Sequence, residues 1–229
     1  MRDCKTLVIG GGHRAVGIAM ALPGTLICEE SEFCDSDFSM TLKSFSREGY
    51  QPQTAAGKEL LERYEALGLI RGASLNCSAL EIGLSRYVLE KGVDILLKTR
   101  VVGADGTAVT IMTNGGLETV RADRVVDLRP TGEKRISLLF SMEKEDSLSS
   151  VGACFPEGRT ERAFYPDRGA LHLRVEGDYN QALRFLHSRW EAAGLKEKIL
   201  LLAPRLHFDR ETDPIRAFEA GYEWGKGAV

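Results

Sequence analysis

The sequence predicts an α/β protein built on a parallel sheet, with an inserted β-hairpin and a small lobe of antiparallel β-structure and helix. Three observations predict it. Residues 5–9 are a short apolar, β-branched run that leads straight into Gly10, Gly11 and Gly12. An apolar helical stretch, 15–22, follows, and then a second apolar strand, 25–28, that stops at Glu29. Further strand patterns at 93–99 and 124–128 are preceded by amphipathic helical patterns at 58–70 and 78–91.

Strand, glycine turn, helix, strand and acid, in that order, make a dinucleotide-binding βαβ unit of the Rossmann type. Gly10 and Gly12 are the first two glycines of a GxGxxG/A pattern, and Ala15 takes the third place. Gly10 can adopt the backbone angles of a tight strand-to-helix turn. Gly12 has no Cβ, so a pyrophosphate can approach the main chain. Ala15 is small enough to let the helix sit close to the strand. The helix start offers unpaired N–H groups and partial positive charge. Glu29, about 20 residues on, is placed for ribose hydroxyls. His13 and Arg14 flank the phosphate position, where Arg14 reads either as a phosphate clamp or as a solvated side chain. Pro23 and Gly24 end the helix after little more than two turns. The alternative reading is a nucleotide-binding architecture with an empty or altered pocket.

The chain has 229 residues, which suits one large domain or a domain with a lobe. With 43% apolar and 28% charged residues, the composition is that of a soluble globular protein. A net charge of −3 gives no basic field for nucleic acid. No apolar run is long enough for a membrane span. The opening residues go directly into a strand, so a cytoplasmic protein without a leader is expected. Five cysteines, scattered and without a CxxC pair, read as reduced thiols, not as a disulfide frame or a zinc site. Cys28 reads as a small core hydrophobe. The four histidines form no ligand pair, and no metal site is expected. His172, between Leu171 and Leu173, reads as the polar face of a strand. No catalytic residue stands out.

The remaining elements follow in order. Residues 30–54 are polar and poorly periodic, a long loop on which Lys43 and Arg47 are expected to be solvated. The helix at 58–70 places Leu60, Leu61, Tyr64 and Leu67 on one face, and Gly92 stops the next helix. After the strand at 93–99 and an extended 100–104, a hairpin is expected around Asn114-Gly115-Gly116. Residues 124–128 read as another buried strand, followed by the loop Arg129-Pro130-Thr131-Gly132. From 136 the pattern is antiparallel: a strand at 136–142, a charged, serine-rich connection at 143–150, and strands at 162–165 and 170–175 around a turn at 166–169. Asp178 caps a helix closed by Gly194. Residues 199–202 form a strand or short helix, and Asp213-Pro214 opens the last helix. That helix carries Ala217, Ala220, Gly221, Gly225 and Ala228, which permit close approach to another backbone or to a ligand. The division expected is 1–135 for the nucleotide-binding part, 136–210 for a small lobe and 211–229 for a returning helix.

The segments LVIGGGHRA, LICEE, ELLERYEALG, KGVDILLKTRVVGADG and RADRVVDLRPTG resemble, in their order, FAD-dependent oxidoreductases with a two-dinucleotide-type Rossmann domain. The resemblance covers residues 1–135; beyond, APRLHF and AFEAGYEWGKGAV resemble a substrate-domain edge and a terminal helix. It implies that Gly10, Gly11, Gly12, His13, Arg14 and Ala15 form the loop that holds the FAD pyrophosphate. It implies that Glu29, with Glu30 beside it, binds the adenosine ribose, and that Val101 and Val102 touch adenine through their backbone. The loop with Pro130, Thr131 and Gly132 would pass the cofactor, and the terminal helix would point its start at the flavin side. The chain departs from the pattern at His13-Arg14, at DLRPTG, and near Asp35-Ser36, which puts negative charge where phosphates are expected. The function implied is hydride or electron-pair transfer through FAD with a small-molecule substrate. No second glycine fingerprint for NAD(P) is present, so NAD(P) is the less favoured cofactor. The alternative is a non-catalytic protein of the same fold serving as a binding or partner subunit. A sulfur- or thiazole-forming enzyme is a third reading, for which no cysteine has a donor context. A homo-oligomer or a complex with a partner subunit is left open.

Overall fold

The computed structural model describes residues 1–228 except 36, 37, 48, 130, 131, 145 and 209–212. Strand β1 (Arg2–Ile9) ends in the glycine turn, helix α1 (His13–Ala21) returns beside it, and β2 (Thr25–Cys28) pairs parallel to β1 with Val8 opposite Ile27. An arm over 29–54 has no helix or strand among its described residues. It leads to α2 (Ala55–Ala66), a short hairpin of β3 (Ile70–Arg71) and β4 (Ser74–Leu75), and α3 (Leu80–Lys91). Gly92 ends α3 at φ +64°, the left-handed stop expected of it.

β5 (Asp94–Leu96) adds parallel to β2. β6 (Arg100–Asp105), β7 (Ala108–Thr113) and β8 (Gly116–Asp127) form an antiparallel meander, with the turn at Asn114-Gly115. β8 then continues past the meander and pairs parallel with β1, Val126 opposite Val8. The hairpin arm and the strand expected at 124–128 are thus one twelve-residue strand. Its second half is not fully buried. Val126 packs on the helix-side core, but Val125, on the other face, is 38% exposed, because β1 alone flanks the strand there. The sheet order is β5-β2-β1-β8-β7-β6.

Alternation gives this sheet two buried faces. Val8 and Ile27 meet the helices, while Leu7, Ile9, Leu26 and Cys28 meet Val109, Ile111 and Val120 of the meander. All five cysteines are free.

A second, wholly antiparallel sheet follows. It contains β9 (Lys134–Ser141), β10 (Gly158–Arg162), β11 (Arg168–Val175), β12 (Ile199–Leu202) and β13 (His207–Phe208), in the order β10-β11-β9-β12 with β13 also on β9. The connection expected at 143–150 contains the start of α4 (Ser147–Cys154), an unpatterned short helix that buries Val151. The first strand of the hairpin lies earlier than expected, at 158–162. Arg162 pairs with Gly169, and the loop closes through Ala163 N–H to the Arg168 carbonyl. α5 (Tyr179–Ala192) starts in a reciprocal capping box between Asp178 and Gln181 and stacks Trp190 on Phe155. Leu139, Ala163, Ala170 and Ala203 of this sheet share one core with the helices of the parallel part.

The last helix, α6 (Pro214–Gly227), starts at Asp213, whose Oδ1 accepts from Ile215 N at 2.9 Å. It packs directly on α1. A Cβ on Gly17 would lie 2.0 Å from the Phe218 carbonyl oxygen, and one on Gly221 would lie 2.0 Å from the Arg14 carbonyl oxygen. The glycines of the small-residue stripe therefore serve backbone-to-backbone contact.

Candidate functional site

A cavity of about 300 Å³ opens at the carboxyl ends of β1, β2 and β8. This is the switch-point position at which open α/β sheets bind ligands, and the size is at the lower end for small-molecule sites. The glycine turn forms one wall. Gly10 and Gly12 have φ of +98° and +92°, which an L side chain rarely adopts. A Cβ on Gly10 would lie 3.4 Å from the Leu128 carbonyl carbon.

The turn is tied down on two sides. Gly11 N–H donates to Glu29 Oε2 at 2.5 Å, and Ser31 N–H donates to Oε1 of the same carboxylate at 2.8 Å. A Cβ on Gly11 would lie 2.8 Å from that Oε2, so this glycine too is required by contact. Gly12 N–H donates to the Cys34 carbonyl at 2.7 Å. The start of α1 has no side-chain cap.

His13 lines the cavity, yet its nitrogens face the core. Nε2 lies 2.8 Å from the Tyr64 hydroxyl, and Nδ1 lies 3.1 Å from Asp35 Oδ1. Burial pushes the Tyr64 hydroxyl well above its ordinary pKa, so the phenol stays protonated beside the imidazole. Asp35 is fully buried and does not line the cavity, and Ser36 lies outside the described residues. The His13 imidazole is what Asp35 faces.

Lys43 and Arg47 are buried, not solvated. Arg47 Nε donates to Asp213 Oδ2 at 2.9 Å, and the Lys43 ammonium lies 5.2 Å from the centre of the Phe38 ring. The arm carrying them is fastened at further points. Glu219 of α6 accepts from Tyr50 Oη at 2.6 Å, Gln53 N at 2.9 Å and Thr54 N at 2.5 Å.

Gly10, Gly11, Gly12, His13, Arg14, Glu29, Glu30 and Val101 all line the cavity. Ala15 is fully buried behind the turn. Val102 is 49% exposed, because strand alternation turns it away from the side Val101 occupies, and Gly132 is exposed as well. Pro130 and Thr131 lie outside the described residues. Sequence reasoning missed Phe38 and Thr41 from the arm, Arg205, Leu206 and Phe208 from the antiparallel sheet, and Ala217 from the first turn of α6. Ala217 carried a signal as one of the small residues on that helix, and Arg205, Leu206 and Phe208 lie in the APRLHF segment whose resemblance to a substrate-domain edge did not assign them to the cavity.

A second polar cluster lies beside the site. His172 Nε2 lies 2.8 Å from Glu161 Oε1, His172 Nδ1 lies 2.8 Å from Ser137 Oγ, and Ser137 Oγ lies 2.8 Å from His207 Nε2. Glu161 also accepts from Phe45 N at 2.7 Å and Ser46 Oγ at 2.5 Å. Burial raises the Glu161 carboxyl, but the bonds from His172 and Ser46 outweigh it and hold it at about 2. Burial drives His207 down to about 3 and lowers His172 against the opposing pull of Glu161. His172 is thus in the interior, not on a polar strand face, because β11 is flanked by β10 and β9 and the arm covers that side. Among the described residues no group of three or more His, Cys, Asp or Glu is placed to hold a metal ion, and no helix is long and apolar enough to cross a membrane.

No family model matches the chain, and no curated protein matches it. Solved structures do. A flavoprotein/dehydrogenase from Cytophaga hutchinsonii superposes with a TM-score of 0.55 at 14% identity, over 98% of this chain and 77% of that one. The flavin-dependent halogenase CmlS gives 0.56 at 14% identity, over 100% of this chain and 57% of that one. The myxobacterial chondrochloren halogenase CndH, described as a variant of FAD-dependent halogenases, gives 0.52 at 12%, over 100% and 73%. The fold is that of these flavoproteins. The resemblance in the opening residues is borne out at the level of fold.

Proposed function

We propose that this chain is an FAD-dependent oxidoreductase acting on a small molecule. The observation that supports it most is the cavity itself. A glycine turn with two left-handed glycines, an uncapped helix start and the Glu29 carboxylate meet in one place at the ends of the parallel strands. That donor set fits the adenosine diphosphate part of the cofactor. The first turn of α1 would hold the diphosphate, Glu29 the ribose diol and the Val101 backbone the adenine. Glu29 accepts from two main-chain amides, which hold its carboxylate at the edge of the turn. When bound, the flavin supplies hydride or electron-pair transfer. The chain's own residues position it. Leu128, Leu206 and Phe208 give the cavity apolar walls that exclude water.

The second reading is a non-catalytic protein of this fold, acting as a partner subunit. It is favoured by the two loop amides, Gly11 and Gly12, that already have acceptors within the chain. Thermal unfolding with and without added FAD separates the two. A ligand bound only by the native state raises stability by about 2.7 kcal/mol at a hundred times its Kd. A rise in Tm with FAD and a yellow purified protein support the enzyme reading. A colourless protein with an unchanged Tm supports the partner subunit.

A further inference from the structure

The cavity has two walls of different origin. The parallel sheet contributes the glycine turn and two carboxylates, Glu29 and Glu30. The antiparallel sheet contributes the turn between β12 and β13, with Arg205 at its tip. Among the cationic side chains lining the cavity, Arg14 already has a partner, and Arg129 is bound through Nε and Nη2 to Asp127. Arg205 makes no hydrogen bond or ion pair to any described residue. Its charge is felt by Glu32, but that carboxylate is taken by Lys98 at 2.8 Å.

The turn that carries Arg205 is held rigidly by one residue. The Ser137 carbonyl accepts Ala203 N–H at 2.9 Å, and the Ser137 hydroxyl bonds His207 at 2.8 Å. Both ends of 203–207 are therefore fixed to β9, and the Tyr179 hydroxyl adds a bond to the Ala203 carbonyl at 2.8 Å. A side chain on a fixed turn loses less freedom when it binds. Its guanidinium fork matches phosphate oxygens.

We propose that Arg205 is the phosphate-recognising residue of this cavity, supplying from the antiparallel sheet the positive charge that the glycine turn lacks. The inference rests on the nucleotide reading above. The ligand class is a nucleotide carrying a diphosphate, because the uncapped helix start and Arg205 line the same small cavity.

The test is a titration of adenosine, AMP, ADP and FAD into the wild type, Arg205→Gln and Arg205→Lys by calorimetry. The wild type is expected to bind ADP and FAD more tightly than adenosine. Arg205→Gln is expected to lose about tenfold for ADP and FAD and little for adenosine, as loss of one exposed charge-assisted contact does. Arg205→Lys is expected to recover part of the loss. An ADP-to-adenosine ratio unchanged in Arg205→Gln overturns this inference and leaves the nucleotide reading standing. An equal loss for adenosine overturns it too, since the residue then does not act on phosphate. A wild type that binds none of the four overturns both.

Discussion

Glu29 Oε2 accepts the Gly11 amide at 2.5 Å, across the gap between the first two strands. The same carboxylate takes the Ser31 amide, so it fixes the turn to the start of the arm. Glu29→Gln puts an NH₂ group where one acceptor stands, leaving a main-chain donor unsatisfied. The variant is expected to be less stable by about 1–3 kcal/mol. Urea denaturation with an unchanged midpoint would contradict it.

Gly12→Val is expected to abolish binding of any adenine dinucleotide. At φ +92° a branched residue is strained, and its side chain would occupy the phosphate position. Circular dichroism establishes that the variant is folded. Equal FAD affinity in a folded variant and the wild type would show that the dinucleotide does not lie on this turn.

The contact between α1 and α6 leaves no room for a methyl group. Gly221→Ala must move one helix off the other, because the new Cβ would meet the Arg14 carbonyl at 2.0 Å. A loss of about 1–3 kcal/mol is expected. Gly227→Ala, on the same helix with nothing within 4 Å, is the control and should be neutral or slightly stabilising. Equal thermal midpoints for the two variants would refute the close packing.

Glu219 connects the last helix to the arm and to the start of α2. Its bonds hold its carboxyl below the ordinary range, although burial pulls the other way, and its bond to Tyr50 raises that hydroxyl to about 12. Glu219→Gln is expected to loosen 45–54 and to speed tryptic cleavage after Arg47, now buried. An unaltered digestion rate would mean the arm is held by Glu161 and Asp213 alone.

Acid should weaken the protein in two stages. His207 is held at about 3 against an ordinary 6.5, mainly by burial, so the native state stays neutral where the unfolded chain takes up a proton. That contribution is complete above 6.5 and is lost as pH falls towards about 3. His172 moves the same way. Glu161, at about 2 against 4.5, adds a loss confined to the range between those values. Arg135, Arg159 and Lys43 also face these groups and disfavour protonated imidazole. Urea midpoints should therefore fall as pH drops from 6.5 to 4.5, and His207→Asn should flatten that slope. A flat wild-type profile in that window would refute the buried neutral histidine.

Local chemistry made much of this readable beforehand. The opening βαβ unit, Gly92, the hairpin at Asn114-Gly115, the capped start of α5 and the Asp213-Pro214 start of α6 are each set by a few adjacent residues, and each lies where expected. What was hidden depends on distant partners. Arg47 and Lys43 look solvated until Asp213 and Phe38 are seen beside them. His172 looks like a surface residue until Glu161 and Ser137 close around it. Arg205 lies nearly two hundred residues from the glycine turn, and no periodicity announces that the two share a cavity. α4 was missed because its eight residues carry little amphipathic pattern.

The seam between α1 and α6 also sets an order of events during synthesis. The glycine turn and α1 are made well before α6, and the surface against which α1 settles comes some two hundred residues later. Contacts of such long range close late. A chain truncated before residue 214 would hold α1 and its glycine turn without that support, so α1 settles only against a docked α6.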